Sequence, residues 1–363
     1  NPLLEPEQIA SILRESNAKV LVTLKSMPKT DVAQKAAAAL EMAPCVQTVL
    51  EVDLARYLSG FKRLLVGLMR PRVKARHKAR VMDFEAAVSS QPHDRLSFDD
   101  PPEDRIAAYF HTGGTTGMPK IAQHKYSGMI YNGFLGGELL FDETDVLMCP
   151  LPLFHVFAAY PVLMSCIQSG AQMVMPTPAG YRGDGVIGNF WKLIERWHAT
   201  FLITVPTAIA ALMQRKVDAD VSSLRTAISG SAALPVELYN RFKAATGVEI
   251  AEGYGLTEVT CLVSCNPVDG LKKVGSVGIP LPYTTVRILR RVNGDYQDCA
   301  TDEIGEICVA NPGVYEGSTY TEVDKNHDLF AEGRFLRTGD LGRLDADGYL
   351  WITGRAKDLI IRG

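Results

Sequence analysis

The chain has 363 residues, 47% of them hydrophobic and 22% charged, with a formal net charge of −3 at pH 7. That is enough apolar material for more than one domain or subdomain, and the near-balance of charge gives no general attraction for nucleic acid. No run of about eighteen apolar residues occurs, so no membrane-spanning helix is expected. The seven cysteines (Cys45, Cys149, Cys166, Cys261, Cys265, Cys299 and Cys308) include no Cys-x-x-Cys pair and no cluster with histidine. This argues against structural zinc and for reduced thiols in a cytosolic protein. The sequence opens at Asn1 rather than at Met, which leaves a targeting segment an open alternative.

In chain order, Pro6 to Ser16 reads as a helix with Ile9, Ile12 and Leu13 on one face. Lys19 to Leu24 reads as a strand, Asp31 to Met42 as an Ala-rich helix and Val46 to Val52 as a second strand. That rhythm predicts βαβ units around a parallel sheet. Residues 61–80, FKRLLVGLMRPRVKARHKAR, carry eight Lys or Arg interleaved with Leu64, Leu65, Val66, Leu68 and Met69. This segment is either an amphipathic contact for an anionic membrane surface or partner, or a solvated insertion beside the core. After an acidic stretch from Asp99 to Asp104, the strand Ile106 to Phe110 leads into a glycine-rich loop. Strands at 145–149, 171–175, 201–205, 224–228 and 248–252 then follow, with helices at 156–168 and 189–197 among them. Beyond Gly275 the runs are short and β-rich, at 285–289, 303–310 and 349–353, which predicts a small antiparallel sheet or barrel.

The expected class is therefore α/β, two doubly wound α/β subdomains followed by a small β-rich, barrel-like one. The expected spans are 1–170, 171–275 and 276–354, leaving 355–363 as a terminal stretch.

The strongest local signal is His111-Thr112-Gly113-Gly114-Thr115-Thr116-Gly117-Met118-Pro119-Lys120. Glycines let backbone N–H groups converge on an anion, and threonine hydroxyls add donors. Lys120 is a compact cation suited to β- and γ-phosphates. The loop is not a Walker A motif, because Met118-Pro119 separates Gly117 from Lys120. In Glu252-Gly253-Tyr254-Gly255-Leu256-Thr257-Glu258, Tyr254 offers a ring face for a purine. Thr257 offers a hydroxyl for an α-phosphate, and Glu258 a hard oxygen ligand for Mg²⁺.

The loop resembles the phosphate loop of the adenylate-forming superfamily of acyl- and aryl-CoA ligases, luciferases and peptide-synthetase adenylation domains. It departs from that pattern at Gly113, where the family usually has serine. Further segments resemble the family's motifs in the same order: Pro152-Leu153-Phe154-His155, Ser229 to Pro235, Glu252 to Glu258, Leu336-Arg337-Thr338-Gly339-Asp340 and Gly354-Arg355-Ala356-Lys357-Asp358.

The resemblance implies ATP-dependent conversion of a carboxylic acid to acyl-AMP, then transfer to CoA, with ATP, Mg²⁺ and CoA as the small molecules. It puts Lys120, Thr257, Glu258 and His155 in catalysis. It implies nucleotide binding by Thr112, Gly113, Gly114, Thr115, Thr116, Gly117 and Lys120, by Gly230, Ser231 and Ala232, by Glu252, Gly253, Tyr254, Gly255 and Thr257, and by Asp340 and Arg355. Asp340 would accept the ribose hydroxyls, Glu258 would hold the metal, and Lys357 would be the hinge. His155, Val205, Ala232, Gly255 and Val259 would line the acyl pocket. Their apolar surroundings favour a fatty or aromatic acid over an amino acid. An acyl-AMP ligase loading a carrier protein, and a non-catalytic nucleotide- or acyl-binding module, are the alternatives. The resemblance also implies chain before Asn1, and a C-terminal domain beyond Gly363 that carries an adenylation lysine. The expected location is cytoplasmic with peripheral membrane contact through 61–80, and the oligomeric state is open.

Overall fold

A computed structural model describes residues 1–74, 76–112 and 118–356. The backbone divides into two compact units, one of residues 1–103 and 111–121, the other of 104–110 and 122–363.

In the first unit, the expected helices and strands appear as α1 (Pro6–Glu15), β1 (Val20–Leu24), α2 (Val32–Glu41) and β2 (Thr48–Val52), and they are joined by α3 (Gly60–Leu68), β3 (Arg80–Asp83) and α4 (Phe84–Ser89). The strands form a parallel sheet in the order β1-β2-β3. Ala10 and Leu13 of α1, Ala39 and Leu40 of α2, and Val46 and Val49 around β2 close its core. Small side chains let the two helices sit low on the sheet. The basic segment 61–80 resolves into α3 and the stretch leading to β3. No side chain of α3 is buried, and Phe61, Leu64, Leu68 and Met69 all stand in solvent. Arg70 anchors its end, with both Asp53 carboxylate oxygens at 2.8 and 2.9 Å and the Ser26 carbonyl at 2.8 Å.

A two-stranded ribbon, β4 (Ile106–Thr112) and β5 (Lys120–Lys125), flanks the glycine-rich loop. The second unit continues with α5 (Tyr126–Leu139), β6 (Val146–Met148), a π-helical stretch (Ala158–Met164) running into α6 (Ser165–Ser169), β7 (Gln172–Val174), α7 (Phe190–Trp197), β8 (Phe201–Thr204), α8 (Pro206–Leu212), β9 (Thr226–Ser229), α9 (Val236–Thr246), β10 (Glu249–Gly255), β11 (Leu262–Cys265) and β12 (Ile279–Pro280). These strands form one sheet ordered β12-β11-β10-β9-β8-β6-β7. From β7 to β10 it is parallel, and β11 and β12 are antiparallel additions. The central strands β8 and β9 are buried at every position, as strands covered on both faces of a parallel sheet should be.

The remaining strands are β13 (Thr285–Val292), β14 (Asp295–Asp298), β15 (Gly305–Ala310), β16 (Phe330–Ala331), β17 (Phe335–Leu344) and β18 (Leu350–Arg355). They make an antiparallel sheet ordered β14-β13-β15-β17-β16, with β18 also on β17. The α/β class is as expected. Among the described residues the β-rich part is an open sheet rather than a closed barrel, because β14 and β16 end its path unpaired with each other.

Candidate functional site

Polar side chains of the second unit converge where β10 leaves the parallel sheet. Tyr254, near the end of β10, is buried, and its hydroxyl donates to Asp340 Oδ2 at 2.6 Å. Burial first, and the Asp340 carboxylate second, hold the Tyr254 hydroxyl well above the ordinary phenol range. Asp340 lies on β17 directly across the ladder from Arg355 on β18, and Arg355 Nε stands 3.1 Å from Asp340 Oδ1. The Asp340 backbone N–H donates to Thr338 Oγ1 at 3.1 Å. Three residues expected at the nucleotide, Tyr254, Asp340 and Arg355, are thus brought together. Each Asp340 oxygen keeps acceptor capacity beyond the partner it already has.

Past Gly255, where a Cβ would collide with the Cys261 carbonyl, the chain makes a 3₁₀ turn over Thr257–Val259. The Glu258 carboxylate accepts the Tyr320 hydroxyl at 2.5 Å. The Thr257 carbonyl accepts two donors, the Thr260 N–H at 3.1 Å and His124 Nε2 at 2.7 Å. Thr260 holds a left-handed φ of 68°, costly for a β-branched residue. Its hydroxyl is tied to the Gly313 carbonyl at 2.6 Å, and Gly128 of α5 leaves it room, since a Cβ there would stand 2.7 Å from Thr260 Oγ1.

The turn after β9 also carries expected residues. Gly230 and Ser231 follow Ser229, with Ser231 at φ 69°, and Ala232 is exposed. Glu252 is buried under this turn rather than open to solvent. Its two carboxylate oxygens accept the backbone N–H groups of Leu234, at 3.1 Å, and Gly275, at 3.4 Å. Burial raises its carboxyl above the usual range. Gly253 lies in β10 opposite Cys265.

His155 sits against the Phe154 ring, centroids 4.8 Å apart, and its carbonyl accepts the Ala159 N–H at the start of the π-helical stretch. Of the other expected pocket residues, Val205 packs with the parallel-sheet core. Val259 is fully buried beside Tyr254 and Val263.

The phosphate loop is described only at its flanks. Thr112 ends β4 and Lys120 opens β5. Gly113, Gly114, Thr115, Thr116, Gly117 and the hinge residue Lys357 lie outside the described residues.

Glu258 offers one hard-oxygen donor: among the described residues no three His, Cys, Asp or Glu side chains gather as a metal cage. That donor set fits Mg²⁺, which usually takes one or two carboxylates and completes its shell with substrate phosphates and water.

Three polar residues of this region, His124, Tyr160 and Tyr320, had no signal in the sequence. None belongs to a recognisable motif, and only the folded chain supplies its partner.

A family profile described as AMP-binding enzyme matches residues 1–318. The marinolic acid–CoA ligase of Pseudoalteromonas sp. (strain SANK 73390) is 34% identical over 373 aligned positions, covering 100% of this chain and 53% of that protein. The long-chain-fatty-acid–CoA ligase of Bacillus subtilis (strain 168) is 28% identical, covering 100% of this chain and 64% of that protein. Among solved structures, an anthranilate CoA ligase in complex with anthranoyl-AMP superposes with a TM-score of 0.82 at 26% identity. That match covers 100% of this chain and 64% of that one. The chain therefore spans between half and two thirds of the length of these relatives.

Proposed function

Because this chain belongs to the AMP-binding enzyme family, we propose that it supplies the nucleotide site of an AMP-forming acid–CoA ligase. A substrate carboxylate attacks the α-phosphorus of ATP and displaces pyrophosphate, leaving acyl-AMP. The CoA thiol then attacks the acyl carbon, AMP leaves, and the thiol proton passes to solvent.

The observation that carries this reading is Asp340, held between the Tyr254 hydroxyl and Arg355. A carboxylate fixed by two partners and still able to accept is the group a ribose diol needs. Thr257 and Glu258 follow two and three residues after Gly255 on a turn tied at three points, suited to an α-phosphate and its cation. Glu258 would hold Mg²⁺, which would offset charge on the phosphates. Lys120 is assigned to the β- and γ-phosphates, and the loop residues Thr112 to Gly117 to the phosphate cradle. Neither step uses a protein nucleophile. The buried cysteines agree with that, since burial pushes the Cys149 and Cys265 thiols up to about 12 and leaves no thiolate at neutral pH. Activation then rests on holding two anions in line and offsetting charge as it develops.

The acid is read as fatty or aromatic, with His155, Val205, Ala232, Gly255 and Val259 as its pocket. Relatives named for marinolic and long-chain fatty acids agree with an apolar acid, whereas those named for sulfoacetate and oxalate act on small polar acids, so the choice rests on the apolar lining. We keep the division into 1–170, 171–275 and 276–354, with Lys357 as the pivot, and a cytoplasmic enzyme with unpaired cysteines. A screen of fatty and aromatic acids for pyrophosphate release, followed by thioester formation with CoA on the full-length protein, tests the reading. Release without any CoA thioester would move it to a ligase that loads a carrier protein; no release with any acid would leave the binding module.

No described helix is long and apolar enough to cross a membrane. Peripheral contact is proposed through 61–80, on the observation that α3 exposes Phe61 at 74% and Leu68 at 77% within a segment of eight Lys or Arg and no Asp or Glu. Apolar side chains and an anionic lipid surface would act together there. Sedimentation with phosphatidylglycerol vesicles and with neutral phosphatidylcholine vesicles tests it; equal or absent binding to both rejects it.

A further inference from the structure

We propose that His124, which no motif of the sequence marks, is a positioning residue for nucleotide: it sets the Thr257–Val259 turn from beneath through the Thr257 carbonyl. The inference rests on reading that turn as part of the nucleotide site.

His124 lies on β5 and is 1% exposed. Its Nε2 stands 2.7 Å from the Thr257 carbonyl oxygen, and its Nδ1 stands 3.0 Å from the Tyr160 hydroxyl. A carbonyl oxygen only accepts, so Nε2 carries the hydrogen. In the neutral ring Nδ1 is then the acceptor, and the Tyr160 hydroxyl donates to it. The tautomer therefore follows from the partners, and both ring nitrogens are satisfied. The ring itself is fixed, stacked on Phe110 at 5.3 Å and 26° and edge-on to Tyr160 at 5.5 Å. Tyr160 comes from the π-helical stretch Ala158–Met164, with Pro161 inside it. Such stretches are rare, cost regular hydrogen bonding and are frequent at functional sites.

At the other end of the relay, His124 and the Thr260 N–H occupy the Thr257 carbonyl together. Tyr320 holds Glu258, and Gly313 holds the Thr260 hydroxyl. The turn is thus gripped at Thr257, Glu258 and Thr260, and His124 is the side chain that grips Thr257. An apolar residue at 124 would strand the Tyr160 hydroxyl and take one of the two donors from the Thr257 carbonyl. A donor aimed at one carbonyl of a functional turn has no apolar equivalent.

The test exploits the length of the donor arm. In His124→Gln the side-chain amide nitrogen reaches the place of Nε2 and can still donate to Thr257. In His124→Asn the amide ends near the place of Nδ1 and cannot. AMP titration by calorimetry should show His124→Gln within about threefold of the parent and His124→Asn weaker by about tenfold, the worth of one buried hydrogen bond. Thermal melts of the two variants should shift alike. Nitrogen-15 NMR of the parent should show His124 as the Nε2–H tautomer. The proposal is overturned if both variants lose AMP affinity equally, if affinity merely tracks the melting temperature, or if the ring is the Nδ1–H tautomer. A parent that binds no AMP overturns the nucleotide reading itself and takes this inference with it, an outcome visible before any variant is made.

Discussion

The strand-and-turn segment 249–265 and the helix 60–68 are both built from apolar residues with a few polar ones between them, yet the fold treats them oppositely. In the first, Tyr254, Val259 and Val263 are buried, and the intervening polar groups are answered by Asp340, Tyr320, Gly313 and His124. In the second no side chain is buried, and Lys62 and Arg63 share the surface with Leu64, Leu65 and Leu68. The difference lies in neighbours rather than in composition. A segment flanked by sheets on the way in and out inherits partners for its polar atoms. A helix with no buried side chain inherits none.

Four measurements would break or sharpen that contrast. Glu258→Gln should lower acid-dependent pyrophosphate release by two to three orders of magnitude, the usual loss when one charge-stabilising group is removed, while the melting temperature stays near the parent's. An activity within tenfold of the parent at saturating Mg²⁺ would remove Glu258 from the site.

Next is pH. Burial holds the His124 pKa down to about 4 from an ordinary 6.5, so the folded state favours the neutral ring and the unfolded chain takes the proton first. Its contribution, on the order of 3 kcal/mol, is fully present above about pH 6.5 and is lost as pH falls towards about 4. Chemical denaturation across that window should show the decline, and His124→Gln should flatten it. An unchanged slope in the variant would mean that other groups carry the loss.

Asp340→Ala removes the carboxylate that accepts the buried Tyr254 hydroxyl and should cost about 2 kcal/mol of stability. Adding Tyr254→Phe should recover part of that loss, because the stranded donor goes too; strict additivity in the double-mutant cycle would show that the two residues are not coupled.

The smallest stability effect belongs to α3. Leu64→Glu with Leu68→Glu should leave unfolding free energy within about 0.5 kcal/mol of the parent while abolishing binding to anionic vesicles. A clearly destabilised variant would reveal that this face is packed in solution.

Much of this architecture could be read from the residues. Apolar patterning located α1, α2, β1 and β2 within two residues, and the alternation of strand with helix marked a parallel sheet. The expected helix over 156–168 is present, but Pro161 converts its middle to the wider π form. Helix α5 escaped notice because its sequence, YSGMIYNGFLGGEL, has no polar face to betray it: glycines let it pack closely on several sides, with Gly128 against Thr260. Strand β17 lacks a clear alternation, since the Arg337 to Asp340 signature with Gly339 at φ 73° interrupts its apolar pattern. The site was legible wherever one short segment holds several functional residues, as at 252–258. It was illegible where function depends on pairs distant in sequence. Tyr254 and Asp340 are 86 positions apart, and His124 and Thr257 are 133 apart. A single sequence carries no trace of such distances, because backbone pairing rather than local propensity sets them.

The doubly occupied Thr257 carbonyl has a consequence for the rate of nucleotide capture. With both lone-pair directions taken within the protein, the turn has given up its conformational freedom during folding, and an arriving nucleotide need not order it. Ordering costs normally deducted from affinity are therefore already met. Association at this turn should be a single concentration-dependent phase governed by encounter, with no slower rearrangement following it.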